Sequence, residues 1–248
     1  MKLLIVTQVV DKNHPVLGFF HRWIEEFAKH CEHIEIIALQ VGEYTLPKNV
    51  TVHSLGKESG ALPPLTYATR FFSLIWRLRR QYTSVFVHMN SEYIVLAGWL
   101  WRLMGKKIAL WYTHKSVDIK LRIAEFFAHT ILTASKESFR LPSKKVQVLG
   151  HGIDNNFFKP DASVKRGEYL LSVGRLMRSK RHDLAIDIAH SEGRALAIAG
   201  EGSLKEELEA RRQVQVSYAT LTRFCRNHQI GQIEKQPAAR IITGFSEE

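Results

Sequence analysis

Two short apolar runs that end in glycine carry the residues best suited to chemistry. The first, Tyr169-Leu170-Leu171-Ser172-Val173, passes into Gly174-Arg175-Leu176, with Lys180 a few residues on. The second, Ala195-Leu196-Ala197-Ile198-Ala199, passes into Gly200-Glu201-Gly202. Runs this apolar read as strands buried on both faces, as in a parallel sheet covered by helices. Ligands of such sheets bind at the carboxyl ends of strands. Gly174, Arg175 and Lys180 belong at one such end, and Gly200 to Gly202 at its neighbour. Glycine lets a ligand approach the backbone. The arginine fork and the lysine point charge together suit a diphosphate. Taken singly, each cation reads as a solvated charge at a loop or helix start; the full pattern, in order and at this spacing, favours an anion site.

This stretch resembles the start of the second domain of family-4 retaining glycosyltransferases, which have the GT-B fold. That family carries Gly-Arg-Leu, three variable residues and Lys, then an apolar strand ending Gly-acidic-Gly. Gly174, Arg175, Leu176, Lys180, Gly200, Glu201 and Gly202 match it here. The resemblance implies that Arg175 and Lys180 hold the diphosphate of a nucleotide-sugar donor, with Gly174 and Gly200 to Gly202 as donor loops. It implies no metal and no cofactor beyond that co-substrate. In that family a leaving diphosphate oxygen takes the acceptor proton, so the resemblance implies that no protein base is required.

The family also places a histidine after the strand that corresponds to Lys107–Thr113, facing the donor sugar. His114 stands there and is the catalytic-site candidate, able to hydrogen-bond sugar hydroxyls. A glycine loop between the family's first strand and first helix faces the donor. Gly18 occupies that place, with the usual Gly-Gly pair reduced to one; it reads equally as a simple helix-entry glycine. His88, which also follows a strand, reads as structural, as do His30, His33 and His53, which lack ligand spacing.

The elements that must position these residues alternate regularly. Strands are expected at Lys2–Gln8, Ile34–Leu39, Val50–Leu55, Val85–Met89, Lys107–Thr113, Thr130–Ala134 and Val146–Leu149. Helices are expected at Phe19–His30, from Leu65 to Arg80, from Glu92 to Met104 and at Ile119–Ala128. Ser135 could cap a short helix. This alternation predicts an α/β chain whose first half is a doubly wound, Rossmann-like parallel sheet. The absence of GxGxxG after the first strand argues against a dinucleotide-dependent oxidoreductase.

The segment from Gly150 to Pro160 is dense in turn formers. Gly152, Ile153, Asp154, Phe158 and Pro160 match the family's interdomain segment. The expected organisation is an acceptor-side domain over 1–152, a linker over 153–167 and a partial donor-binding domain over 168–212. The last of these includes a helix from Ser203, capped by that serine and Glu206, to about Arg212. Over 213–248 the pattern degrades, with Gln213–Tyr218 a candidate strand. The family's spaced glutamate pair around a Gly-Phe-Gly turn does not occur, and Gly244-Phe245-Ser246-Glu247 is at most a fragment of it. A truncated donor domain is therefore expected. Sugar transfer, weak nucleotide or phosphate binding by an inactive remnant, and a basic anion-surface binder all stay open.

The 248 residues carry a formal net charge of +11, so an anionic partner is expected. No nucleic-acid motif is present. Between Leu65 and Lys107 the cations Arg70, Arg77, Arg79, Arg80, Arg102, Lys106 and Lys107 face one anion, Glu92. Phe72, Trp76, Trp99 and Trp101 lie among them. That composition suits peripheral binding to an anionic membrane surface, and equally a core-facing helix with a solvated basic side. The two cysteines, Cys31 and Cys225, form no motif, and the apolar run after Lys2 is too short for a signal peptide. A cytoplasmic protein is expected, peripheral at the inner face of the membrane, with self-association through the partial domain.

Overall fold

The computed structural model describes residues 1–153, 155, 159 and 169–210. It divides into two compact units, Met1–Gly152 and the chain from Ile153 onward. The first unit is built from β1 (Lys2–Val10), α1 (Phe19–His30), β2 (His33–Val41), β3 (Val50–Ser54), α2 (Pro64–Leu78) and β4 (Ser84–His88). It continues with α3 (Glu92–Leu103), β5 (Lys107–Trp111), α4 (Ile119–Phe127), β6 (Thr130–Thr133) and β7 (Val146–Val148). The seven strands form one parallel sheet in the order β3-β2-β1-β4-β5-β6-β7.

Both faces of this sheet are covered, which is why its inner strands β1, β4 and β5 are apolar nearly throughout. In β1, Leu4 and Val6 point into a core shared with Phe71 and Ile75 of α2, Ile94 and Trp101 of α3, and Leu121 of α4. Leu3 and Ile5 point the other way, onto Phe20, Ile24 and Ala28 of α1. The buried residues of α1 recur every fourth position, one face of a helix. The α2 helix takes in Pro64 as its first residue, where the missing N–H costs nothing, and ends at Leu78 rather than Arg80. Ser135 precedes a single 3-10 turn, Lys136–Ser138, but its hydroxyl pairs with the Ser138 hydroxyl at 3.0 Å and caps no backbone N–H.

The chain builds β1, β2 and β3 outward in one direction and then places β4 on the other side of β1. The boundary between β1 and β4 is therefore the point where strand order reverses.

In the second unit β8 (Leu170–Val173) and β9 (Leu196–Ala199) pair in parallel, joined through α5 (His182–Ser191). After β9 comes α6 (Lys205–Ala210). Leu176, Ile186, Ala189, Leu196, Ile198 and Leu208 form its core. The last helix starts later than the capping pattern at Ser203 predicts. Leu204, drawn onto the core by donating its N–H to the Leu176 carbonyl, accepts the bond from Leu208 that opens the helix. Most of the expected linker, and the whole of 213–248 with its candidate strand Gln213–Tyr218, lie outside the described residues. Among the described residues no helix is long and apolar enough to cross a membrane.

Candidate functional site

In the second unit the chain leaves β8 and β9 through two loops joined to each other. The Gly174 N–H donates to the Ala199 carbonyl at 2.9 Å, and the Leu176 N–H donates to the Glu201 carbonyl at 2.8 Å. A side chain at Gly200 would run into the Gly174 carbonyl, and one at Gly202 into the Leu176 carbonyl. These two glycines are thus required by the approach of the loops to each other. Leu176 anchors the first loop, being fully buried.

This arrangement gathers Gly174, Arg175, Lys180, Gly200, Glu201 and Gly202 at the carboxyl ends of the paired strands. Arg175 and Lys180 are both exposed, as is Glu201. The Lys180 stem lies beside Gly174: a Cβ on that glycine would sit 3.7 Å from its Cγ and Cδ. Lys180 closes a 3-10 turn, Arg178–Lys180, its N–H bonded to the Met177 carbonyl at 2.9 Å. Arg181 then adopts the left-handed conformation, φ 53°, and α5 begins. Among the described residues neither Arg175 nor Lys180 is paired with a carboxylate, whereas the adjoining Arg181 is held by Asp183 at 3.1 Å. Two free cations beside the start of a helix make a local excess of positive charge.

A residue that the sequence did not single out holds this loop. His182, the first residue of α5, is buried. Its Nδ1 lies 2.8 Å from Ser172 Oγ on β8, and its Nε2 lies 3.1 Å from the Arg175 carbonyl oxygen. A carbonyl only accepts, so Nε2 donates to Arg175, while Nδ1 pairs with the serine hydroxyl. The imidazole therefore ties strand, loop and helix together beneath Arg175. Its one sequence signal is its position, next but one after Lys180.

The remaining candidates lie in the first unit. His114 is exposed in the loop after β5, its ring edge-on to Tyr112 with centroids 5.5 Å apart. The Tyr112 hydroxyl donates to the Ser116 carbonyl at 3.1 Å, and so braces that loop. Thr113 of the same loop donates to Met89 Sδ at 3.2 Å, linking it to the turn after β4. Gly18 stands at the entry to α1, where its N–H donates to the His14 carbonyl at 2.9 Å. The space a side chain would need there is filled by the His14 and Lys12 carbonyls.

His88 occupies the point where strand order reverses. It is 1% exposed, and its Nδ1 lies 3.2 Å from Thr7 Oγ1 on β1. Its ring stacks on Phe20 with centroids 3.8 Å apart, and Nε2 has no partner. Burial drives its pKa down to about 3, so the ring is neutral. His33 and His53 sit either side of Glu35, with Nε2 to carboxylate distances of 2.7 and 2.6 Å. Among the described residues no cluster of three or more His, Cys, Asp or Glu side chains is arranged to hold a metal ion.

No protein-family model matches the chain, and no curated protein does. Solved structures do match. Anabaena HepE in complex with UDP aligns at a TM-score of 0.61 with 15% identity, over 86% of this chain and 64% of HepE. HepE in complex with UDP-glucose aligns at 0.54 with 13% identity, over 92% of this chain and 66% of HepE. WaaG, a glycosyltransferase involved in lipopolysaccharide biosynthesis, aligns at 0.53 with 11% identity, over 84% of this chain and 65% of WaaG. The chain thus spans about 64% of the length of HepE in the first of these alignments. Identities this low speak to fold alone, and the fold they give this chain is α/β and GT-B glycosyltransferase-like.

Proposed function

We propose that this chain is a nucleotide-sugar-dependent glycosyltransferase of the family-4 retaining kind. The observation that carries the reading is the loop after β8. It presents Arg175 and Lys180, exposed and without carboxylate partners among the described residues, at the carboxyl end of a parallel strand pair. That is where an anionic ligand of such a sheet belongs. The HepE structures with UDP and UDP-glucose support choosing a nucleotide sugar as that ligand.

In this reading Arg175 and Lys180 hold the donor diphosphate, and the loops at Gly174 and at Gly200 to Gly202 shape the floor beneath it. The family resemblance assigns Gly18 to the donor diphosphate as well. His114 hydrogen-bonds a hydroxyl of the transferred sugar. As the bond from the anomeric carbon to the diphosphate oxygen breaks, negative charge grows on the diphosphate, and the two cations stabilise it. The acceptor oxygen bonds to that carbon on the same face, and its proton passes to the departing diphosphate oxygen.

Calorimetry of the whole chain with UDP and GDP tests the donor site. Arg175→Ala and Lys180→Ala are each expected to weaken binding by about 1.5–3 kcal/mol, the scale of a charged hydrogen bond. Unchanged affinity in both variants overturns the assignment. Donor consumption with an acceptor extract, followed by NMR of the anomeric proton in the product, tests transfer and retention. Binding that depends on both cations but never leads to turnover would leave nucleotide binding alone as the function.

A further inference from the structure

The outer surface of α2, α3 and α4 is the feature that the donor site does not use. These helices cover one face of the seven-stranded sheet, through the core that includes Phe71, Tyr93, Trp101 and Leu121. The inner side of α3 is already satisfied by burying Tyr93, Ile94, Ala97, Gly98 and Trp101. Its outer side is apolar as well: Leu96, Trp99 and Leu103 recur at helical spacing and face solvent, Leu103 being 79% exposed. A helix that is apolar all round is ordinarily covered on both sides.

The neighbouring helices extend this surface. Lys120 at the start of α4 pairs with Glu92 at the start of α3 at 3.0 Å. Arg102 at the end of α3 donates to the Phe127 carbonyl at the end of α4 at 2.7 Å. The two helices therefore run side by side in the same direction, and Phe126, 69% exposed, continues the apolar surface of α3. Lys106 Nζ donates to the Arg79 and Tyr82 carbonyls at 2.7 and 2.6 Å, which brings the end of α2 to the same corner. There Trp76 is 57% exposed, with the Arg79 guanidinium 4.3 Å above its ring.

The corner is strongly cationic. Arg79, Arg102 and Lys106 are held in place by backbone carbonyls. Arg77 and Arg80 are exposed beside them. The nearest acid on α4, Glu125, is already engaged by Ser143 at 2.7 Å and Lys145 at 3.5 Å.

We infer that this corner docks on an anionic lipid surface. Exposed tryptophan, leucine and phenylalanine supply apolar depth, and the surrounding arginines and lysines supply attraction to anionic headgroups. Tryptophan suits the boundary between headgroup and acyl chain. A second copy of this chain is a poor occupant, because a two-fold contact through the patch sets identical cationic rims against each other. The inference does not depend on the donor site.

Co-sedimentation of the whole chain with vesicles tests it. Vesicles of phosphatidylcholine mixed with phosphatidylglycerol are expected to carry the protein down at low salt and to release it at high salt; pure phosphatidylcholine is expected to carry little. The pair Trp99→Ser and Leu103→Ser, both at exposed positions, removes apolar depth and is expected to abolish sedimentation. Arg77→Gln and Arg80→Gln are each expected to cut partitioning about fivefold, the factor that about 1 kcal/mol per cation corresponds to. Circular dichroism confirms that the variants stay folded. Equal binding to neutral vesicles, no binding to either kind, or no loss in either set of variants overturns the proposal. So does a concentration-dependent dimer in ultracentrifugation that Trp99→Ser and Leu103→Ser dissolve, since the patch would then belong to a second copy.

Discussion

His182 shows how one buried ring can hold a loop that carries two exposed cations. It reaches both the Arg175 carbonyl and the Ser172 hydroxyl. His182→Ala leaves both without a partner and is expected to cost about 1–3 kcal/mol of stability in urea denaturation. Affinity for nucleoside diphosphate is expected to fall with it, and His182→Gln, which can still donate to the carbonyl, to recover part of both. Wild-type affinity in the alanine variant would show that the loop keeps its shape without the ring. His182 was not legible in the sequence, because its partners are set by how β8, the loop and α5 meet. Arg175 and Lys180 were legible because their part of the site is local in the chain.

His88 is the second residue whose surroundings matter more than its neighbours in sequence. It was read as structural, and its contacts with Thr7 and Phe20 describe a packed ring. Folded, it takes up a proton only near pH 3, against an ordinary value of 6.5, because burial disfavours the charged form. Between those values the unfolded chain binds one proton more than the folded chain. Its contribution is thus fully present above about pH 6.5 and is lost as pH falls, at about 1.4 kcal/mol per pH unit. Urea denaturation between pH 6 and 4 is expected to show a flatter loss of stability in His88→Gln than in the unaltered chain. Parallel slopes would mean that the ring is accessible to protons.

At the scale of elements, the strands were the easiest to read. A parallel strand buried on both faces is an unbroken apolar run, as Leu3 to Val6 and Leu196 to Ala199 are. Helix ends were harder. Pro64 opens α2 although prolines so often close loops, and Ser203 lost its capping role to Leu204 because the core claims that leucine. The apolar surface on α3 was hidden for a different reason. When both sides of a helix are apolar, periodicity cannot say which one faces solvent. The two loops that leave β8 and β9 yield a prediction at this scale. Gly200→Ala drives a methyl group into the Gly174 carbonyl, which belongs to backbone and cannot swing aside. The loops must part, at about 1–3 kcal/mol. Hydrogen exchange is expected to rise at the Gly174 and Leu176 amides, the donors that hold the loops together. Unaltered protection there would mean that the loops can part without breaking those bonds.

For the molecule as a whole, the net charge of +11 predicted an anionic partner but not where it binds. The structure adds the local settings: exposed cations in the β8 loop, and a cationic corner where α2 and α3 end. The regular alternation of strand and helix made the α/β class legible, since each element follows a local period. The order of the strands, with its reversal between β1 and β4, came only from pairings distant in sequence.

The joined loops of the second unit also bear on how the motif passes down a lineage. Gly200 and Gly202 answer to the backbone that crosses them, so any descendant that keeps this strand pair must keep them, whatever it has come to do. Arg175 and Lys180 answer to nothing inside the described chain. They are free to drift the moment selection for a ligand ends. In a set of descendants, the glycines would record ancestry, and the two cations would record whether the proposed ligand is still bound.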